Sequence, residues 1–184
     1  PHRFAAEKGF LARYGRFNAG FVVVRNDATG RRCIADWRAD CLAWCHETVM
    51  PDGRFMNQGY LDAWPDRYPG VHVIDHPGAN LGPWNIERFA LDADESGVSV
   101  DGQPLVFYHF SGVMRDEQGA WWSTYPIAST VLALARAHIY RPYVTTIVAE
   151  ERRLMAAHGV GAIGSARLQK IGPTAVRLAD AVPV

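Results

Sequence analysis

The sequence predicts an α/β fold in which a mixed sheet is flanked by helices. The run from Phe17 to Arg25 is almost continuously apolar, as expected of a strand buried on both faces. Asp101-Gly102 separates two short apolar runs and is a hairpin signal. Residues 142–158 show helical spacing and end at Gly159. Strands and helices without a regular alternation indicate an α/β or α+β arrangement.

The remaining elements follow in chain order. Residues 1–16 show no clear period, and Gly15 marks a turn. Helices are predicted over about 31–49, 58–64, 126–138 and 142–158, strands over 17–25, 71–74, 98–100 and 105–110, an extended segment over 84–91, and loops at 26–30 and 76–80. Little structure is expected after Gly159, because its Gly, Ala and Val residues are only weakly periodic.

Composition excludes several classes of function. The 184 residues contain 19 basic and 19 acidic side chains, so no net field favours nucleic acid. No apolar run approaches the roughly 18 residues of a membrane span. Three cysteines, Cys33, Cys41 and Cys45, make a poor disulfide framework and favour a reducing, cytoplasmic location. With His46 they are also a possible zinc set, although a buried helix stripe explains them better.

Amide side chains recur at the starts of predicted elements. Asn18 and Gly20 open the first strand, and Asn57-Gln58 precedes the second helix. Without any family comparison, Asn18 is interpreted as capping a turn and Asn57 as a helix N-cap. Planar amides also pair well with neighbouring sugar hydroxyls, because each offers both donors and acceptors.

Further candidates come later in the chain. In the loop over residues 76–80, the side chains of His76 and Asn80 are candidate site residues, and Trp84-Asn85 follows the loop. Then His109-Phe110-Ser111-Gly112 ends an apolar run, where alternation places the imidazole on one face. A histidine satisfied within the core is nearly as good an interpretation of His109. Asp92-Ala93-Asp94 is interpreted as a solvated turn that leads into a hairpin.

The order of these motifs over about residues 15–113 resembles the later part of nucleotide-sugar glycosyltransferases with the GT-A fold, of the glycogenin-like and lipopolysaccharide galactosyltransferase-like families. The resemblance implies transfer of a sugar from a nucleotide-diphosphate donor to an acceptor glycan or lipid-linked sugar. It assigns residues 1–125 to the acceptor-side half of the catalytic domain and 126–184 to a helical extension. The donor-binding half, with the Asp-x-Asp metal motif, is expected upstream of Pro1.

The resemblance also implies roles for individual residues. Catalytic positions are Asn57 and Gln58, and His109 is implied to be a ligand of a divalent cation (Mn or Mg) that is completed by the upstream half. The substrate-binding positions are Asn18, Gly20, His76, Asn80, Trp84, Asn85, Ser111 and Gly112. Arg115 is a possible substitute for the family's diphosphate-binding lysine, which is absent after Gly112.

One alternative belongs to another class. Asn57 stands where the family has an aspartate, and an amide cannot accept a proton. This difference, together with the missing lysine, favours a non-catalytic carbohydrate-binding or interaction module derived from such a fold. A hydrolase is less favoured, since no pair of carboxylates stands out. The sequence does not specify the donor sugar, the acceptor or the oligomeric state.

Overall fold

Helices and small antiparallel sheets both occur in the chain, which confirms the mixed α/β class. The computed structural model describes residues 2–3, 14–159 and 174–180. The chain divides into two compact units, Pro1–Asn80 and Leu81–Val184. Among the described residues, the strands form three antiparallel sheets of two or three strands instead of one mixed sheet. None of the described helices has the length and apolarity needed to cross a bilayer.

Most of the regular secondary structure described in the first unit is helical. Strand β1 (His2–Arg3) pairs with β2 (Phe17–Asn18), and α1 spans Ala28–Ala43. Helix α1 begins where Asp27 Oδ1 accepts a 2.8 Å hydrogen bond from the Gly30 N–H. It ends six residues before the predicted end, because the backbone of Trp44 is extended. A 3₁₀ helix over Gly59–Ala63 continues directly into α2 (Trp64–Arg67), so the second predicted helix is confirmed, but it begins as a 3₁₀ helix and runs past its predicted end at residue 64 to Arg67.

The predicted strand over 17–25 is wrong beyond Asn18. A turn at residues 19–20 interrupts it, with the Gly20 N–H donating to Asn18 Oδ1 at 2.7 Å. Residues 21–25 belong to no strand, and Val23 is 77% exposed, so this run is not buried on both faces. The predicted strand over 71–74 is also absent apart from a bridge at Ile74. An apolar run does not form a strand by itself, because a strand requires a neighbouring strand with which its backbone can form hydrogen bonds.

Aromatic packing forms the core of the first unit. Phe17, Cys33, Leu61, Trp64 and Tyr68 are buried together. The Tyr68 hydroxyl donates a 2.8 Å hydrogen bond to Asp36 of α1, and this bond attaches α2 to α1. This core holds β2 against the 3₁₀ helix and thereby fixes the position of Asn18.

The second unit contains the predicted hairpin. Strands β3 (Leu91–Asp94), β4 (Gly97–Val100) and β5 (Gln103–Pro104) pair in order, and Asp101 and Gly102 have positive φ angles of 49° and 74°. These angles are those of a type I′ hairpin turn. Asp92-Ala93-Asp94 lies in β3, so its interpretation as a turn was wrong. The last hairpin strand covers 103–104 instead of 105–110, where Tyr108 makes a single parallel bridge to Leu81.

A second sheet and three consecutive helical segments complete this unit. Strands β6 (Val113–Arg115), β7 (Trp121–Ser123) and β8 (Val176–Ala179) are antiparallel, so part of the tail is ordered where little structure was predicted. Helix α3 (Ser129–Ala135), a π-helix (Arg136–Tyr140) and α4 (Arg141–His158) follow β7, and Gly159 ends α4 with φ 60°. The tail residues 160–173 and 181–184, and residues 1 and 4–13 near the start, lie outside the described residues.

One core joins the sheets and helices of the second unit. Val100 of the hairpin, Trp121 of β7 and Val144 and Val148 of α4 are buried in the same cluster. The helices after residue 125 therefore pack with the strands of residues 81–125, and both belong to the second compact unit. The assignment of residues 1–125 to a catalytic half stays a prediction.

Candidate functional site

Three predicted site residues of the first unit form one chain of amide hydrogen bonds. Asn80 Nδ2 donates to Asn18 Oδ1 at 2.9 Å, and Asn18 Nδ2 donates to Gln58 Oε1 at 3.3 Å. Gln58 Nε2 then donates to the Tyr14 carbonyl at 2.8 Å. These side chains are 40 and 62 positions from Asn18 in sequence, so only the fold brings them together.

The orientation of each amide in this chain follows from the backbone groups at its ends. The Gly20 N–H can only donate, so the atom of Asn18 that it contacts at 2.7 Å is the oxygen. The Tyr14 carbonyl can only accept, so the atom of Gln58 that faces it is the nitrogen. Both anchors agree with the Asn18–Gln58 bond between them. Donors and acceptors therefore have one consistent arrangement.

Burial and backbone conformation make Asn80 the most constrained member of the amide chain. It is 1% exposed and has a φ of +58°, a left-handed conformation that Asn adopts more readily than other non-glycine residues. It ends the predicted loop, in which the Gly78 N–H donates to His76 Nδ1 at 3.1 Å. His76 thus shapes the turn that leads to Asn80, and Gly20 closes the turn after Asn18.

Asn57 lies beside the amide chain but does not join it. Its carbonyl accepts a 2.8 Å hydrogen bond from Trp37 Nε1, which fixes the backbone. Its half-buried side chain makes no hydrogen bond with any described residue. The capping role expected for it is absent, because the 3₁₀ helix begins without a side-chain cap. The Asn57 amide is therefore available to a ligand, although it cannot act as a base.

Trp84 and Asn85 form a tight turn at the start of the second unit. Asn85 is 2% exposed, and its Oδ1 accepts a 2.8 Å hydrogen bond from the Gly82 N–H. A Cβ on Gly82 would fall 2.6 Å from the Trp84 ring, so the glycine lets this ring lie against the backbone. Asn85 thus stabilises the turn, and the extended segment predicted over 84–91 is instead this turn followed by a 3₁₀ helix over Ile86–Arg88.

His109 lies against Trp84, and Ser111 and Gly112 lie beside Tyr125, whose ring is close to the same tryptophan. The His109 ring meets the Trp84 ring edge to face with centroids 4.8 Å apart, and burial lowers the pKa of His109. Sequence reasoning missed Tyr125, whose ring lies 6.3 Å from Trp84 and whose hydroxyl is 3.5 Å from Ser111 Oγ. Its position at the end of an aromatic run, directly before Pro126, is the available signal. The three rings thus form one aromatic group with the Tyr125 and Ser111 hydroxyls beside it.

A cation ligand set is not assembled by the described part of the chain. No three His, Cys, Asp or Glu side chains there lie close enough to hold a metal ion. His109 packs against Trp84 and offers at most one ligand, so these residues do not by themselves fit a divalent cation. His109 as a metal ligand stays a prediction that requires ligands from other residues.

Arg115 is committed to another partner. Its Nη1 and Nη2 donate to the two carboxylate oxygens of Glu151 at 2.7 and 2.8 Å. This bidentate ion pair joins β6 to α4, and the guanidinium also lies 5.5 Å from the centre of the Trp121 ring. The expectation that Arg115 binds a diphosphate is not supported, because its charge is already neutralised.

Two curated proteins of Bacillus subtilis (strain 168) are similar to the chain. It is 32% identical to the uncharacterized protein YfnD over 143 residues, which are 75% of this chain and 44% of YfnD. It is 38% identical to the uncharacterized protein YfnF over 99 residues, which are 53% of this chain and 32% of YfnF. The chain therefore spans less than half the length of these relatives. No family model matches the chain. No solved structure matches it either.

Proposed function

We propose that the chain is part of a glycosyltransferase with a GT-A-like fold. It transfers a sugar from a nucleotide-diphosphate donor to an acceptor glycan or lipid-linked sugar. The observation that carries the proposal is the amide chain of Asn18, Gln58 and Asn80. Asn18 and Asn80 were predicted as substrate-binding residues and Gln58 as a catalytic residue, each from a different motif, and Asn18 is hydrogen-bonded to both of the others.

The amide chain suits sugar hydroxyls. A carboxamide nitrogen carries two N–H donors, and within the described residues Asn18 and Gln58 each use one of them. Their remaining donors have fixed directions, because the backbone at Gly20 and Tyr14 fixes the amide orientations. A sugar that binds there meets preorganised donors and does not have to order flexible side chains first.

The roles of the residues follow from this arrangement. During transfer the bond between the anomeric carbon and the diphosphate breaks, a new bond from that carbon to the acceptor oxygen forms, and the acceptor's hydroxyl proton passes to the departing diphosphate. The amides of Asn18 and Gln58 orient the sugar, the buried Asn80 amide holds Asn18 in position, and the Asn57 amide contacts a further hydroxyl. A divalent cation, with His109 as one ligand, would neutralise the diphosphate. The reduced thiols Cys33, Cys41 and Cys45 support a cytoplasmic location.

A non-catalytic carbohydrate-binding module is the second candidate. Asn57 cannot take the acceptor proton, and the described residues contain no cluster of three metal-ligating side chains. These two observations argue against catalysis, and neither argues against sugar binding. The candidates differ in one result, because only a transferase releases nucleoside diphosphate.

The test uses the full-length protein and a panel of nucleotide sugars with Mn²⁺ and simple glycan acceptors. We expect release of nucleoside diphosphate with at least one donor. Asn57→Ala should lower kcat/KM about two- to tenfold, the equivalent of one neutral hydrogen bond. Gln118→Ala, at an exposed glutamine whose side chain makes no hydrogen bond with a described residue, is the matched control and should leave kcat/KM unchanged. Sugar binding without release from any donor would favour the binding module, and neither binding nor release would contradict both.

A further inference from the structure

A pocket in the first unit is lined in part by Arg16 and Phe17, which directly precede Asn18 of the amide chain. It has a volume of about 340 Å³ and is lined by Arg16, Phe17, Pro65, Val73 and Asp75. This volume is within the range of small-molecule sites, which begin at roughly 300 Å³. Neither the sequence motifs nor the proposed function uses its two charged side chains.

The pocket combines an apolar lining with one donor and one acceptor. Phe17, Pro65 and Val73 supply the apolar surface. The Asp75 carboxylate makes no hydrogen bond or ion pair with any described residue, so its acceptors are available. A pyranose matches this combination, because its C–H face packs on apolar side chains while its hydroxyls reach polar groups at the edge.

Arg16 is held in position at this pocket. Its Nη2 donates to the Asp62 carbonyl at 2.6 Å, its backbone N–H donates to Asp62 Oδ1 at 2.7 Å, and its guanidinium lies 5.1 Å from the centre of the Phe17 ring. A guanidinium has five N–H donors, and this side-chain hydrogen bond uses one. Arg16 therefore offers donors in a direction that is already fixed.

The charges at the pocket select against anions. Arg16 carries one positive charge, which Asp75 in the lining offsets, and Asp62 lies against Arg16 with its carboxylate 4.0 Å from Nε. A phosphate or a nucleotide therefore meets no net positive charge. A neutral hydroxylated ring needs no net positive charge, because it donates hydrogen bonds to Asp75 and accepts them from Arg16.

We infer that this pocket is a subsite for one neutral sugar ring of the acceptor. That this sugar belongs to the acceptor rests on the proposed function; the new part is that the acceptor sugar is uncharged. Arg16 and Asn18 are two residues apart, so their Cα atoms lie within about 7 Å. The pocket and the amide chain are thus close enough to contact neighbouring sugars.

The test is saturation-transfer NMR of the full-length protein with neutral methyl glycosides (glucose, galactose and mannose) and with glucose 6-phosphate. We expect a neutral glycoside to bind in preference to the phosphate. Asp75→Asn should weaken its binding about tenfold, which corresponds to about 1.4 kcal/mol. Glu47→Gln, an exposed charge removal in the same unit and outside the pocket, is the control and should have no effect. Val73→Phe, which fills the pocket, should also abolish binding while the melting temperature shows that the protein is folded.

Equal binding in wild type and Asp75→Asn would overturn the subsite, as would preferential binding of the phosphate. The outcome that contradicts the sugar subsite differs from the outcome that contradicts the transferase proposal. If nucleoside diphosphate is released but the KM for a glycan acceptor is the same in Asp75→Asn, the subsite is wrong and the transferase stands. If no diphosphate is released but glycoside binding depends on Asp75, the pocket is a sugar site of a binding module.

Discussion

The substitution Asn18→Asp tests the direction of the hydrogen bonds in the amide chain. It replaces Nδ2 by an oxygen 3.3 Å from Gln58 Oε1, so two acceptors face each other. Turning the Gln58 amide moves the conflict to the Tyr14 carbonyl, which also accepts. One buried acceptor pair is unsatisfied in either arrangement. We expect a loss of about 1–3 kcal/mol in the free energy of unfolding at neutral pH.

The pH dependence of this loss gives a second, independent signature. We expect burial and the facing Gln58 oxygen to raise the pKa of the new carboxyl in the folded state above its unfolded value, against the opposing effect of the Gly20 N–H and Asn80 Nδ2 donors on Oδ1. The folded state then binds a proton more tightly, and the protonated carboxyl can donate to Gln58 Oε1. Relative to wild type, the loss of stability should therefore shrink as the pH falls through the raised pKa.

Urea unfolding of wild type and variant at neutral pH and at about pH 5 measures both effects. Asn57→Asp is the matched control, because the Asn57 side chain makes no hydrogen bond with a described residue; we expect a change within about 0.5 kcal/mol. An Asn18→Asp protein as stable as wild type at neutral pH would refute the assigned hydrogen-bond directions. A loss that grows as the pH is lowered would contradict the expected rise in the pKa of the new carboxyl and show that the two N–H donors to Oδ1 dominate it.

Three further predictions concern the second unit. A double-mutant cycle of Arg115→Ala and Glu151→Ala should give a coupling of about 1–2 kcal/mol in the free energy of unfolding at neutral pH. Hydrogen bonds from Arg115 lower the pKa of Glu151, so this coupling should disappear as the pH falls through that lowered pKa. Gly112→Ala should cost about 1–3 kcal/mol more than Gly102→Ala in thermal unfolding, because φ is similar at both (69° and 74°) but only the Cβ at Gly112 meets neighbouring side chains; equal costs would contradict this. The pKa of His109, measured by NMR titration, should lie below the usual 6.5, so its protonation should destabilise the folded state as the pH falls below that value; a pKa above 6.5 would contradict its burial.

Elements with strong local signals could be predicted from the sequence. Helix α4 has apolar spacing and a glycine stop, and Gly159 adopts the left-handed conformation that ends it. The Asp101-Gly102 turn needs positive φ at both residues, and few other sequences provide it. Helix α1 was also expected, but its end was not, because no proline or glycine marks Trp44.

Features that depend on distant partners could not be predicted. Strand β8 forms because β7 lies beside it, and its own residues are only weakly periodic. The run 21–25 is apolar but belongs to no strand, which composition alone cannot reveal. Asn18, Gln58 and Asn80 were each chosen from local motifs, yet their connection spans 62 positions. The pocket residue Asp75 carried no motif and became a candidate only through its surroundings.

The most direct test of sugar binding by the amide chain is the side-chain NH₂ region of a ¹⁵N-labelled full-length protein titrated with nucleotide sugars. We predict that the NH₂ signals of Asn18, Gln58 and Asn80 shift together at one ligand concentration, because the three amides are hydrogen-bonded in series. If a nucleotide sugar binds while these three signals stay in place, the amide chain is a structural network and the proposed sugar site is wrong.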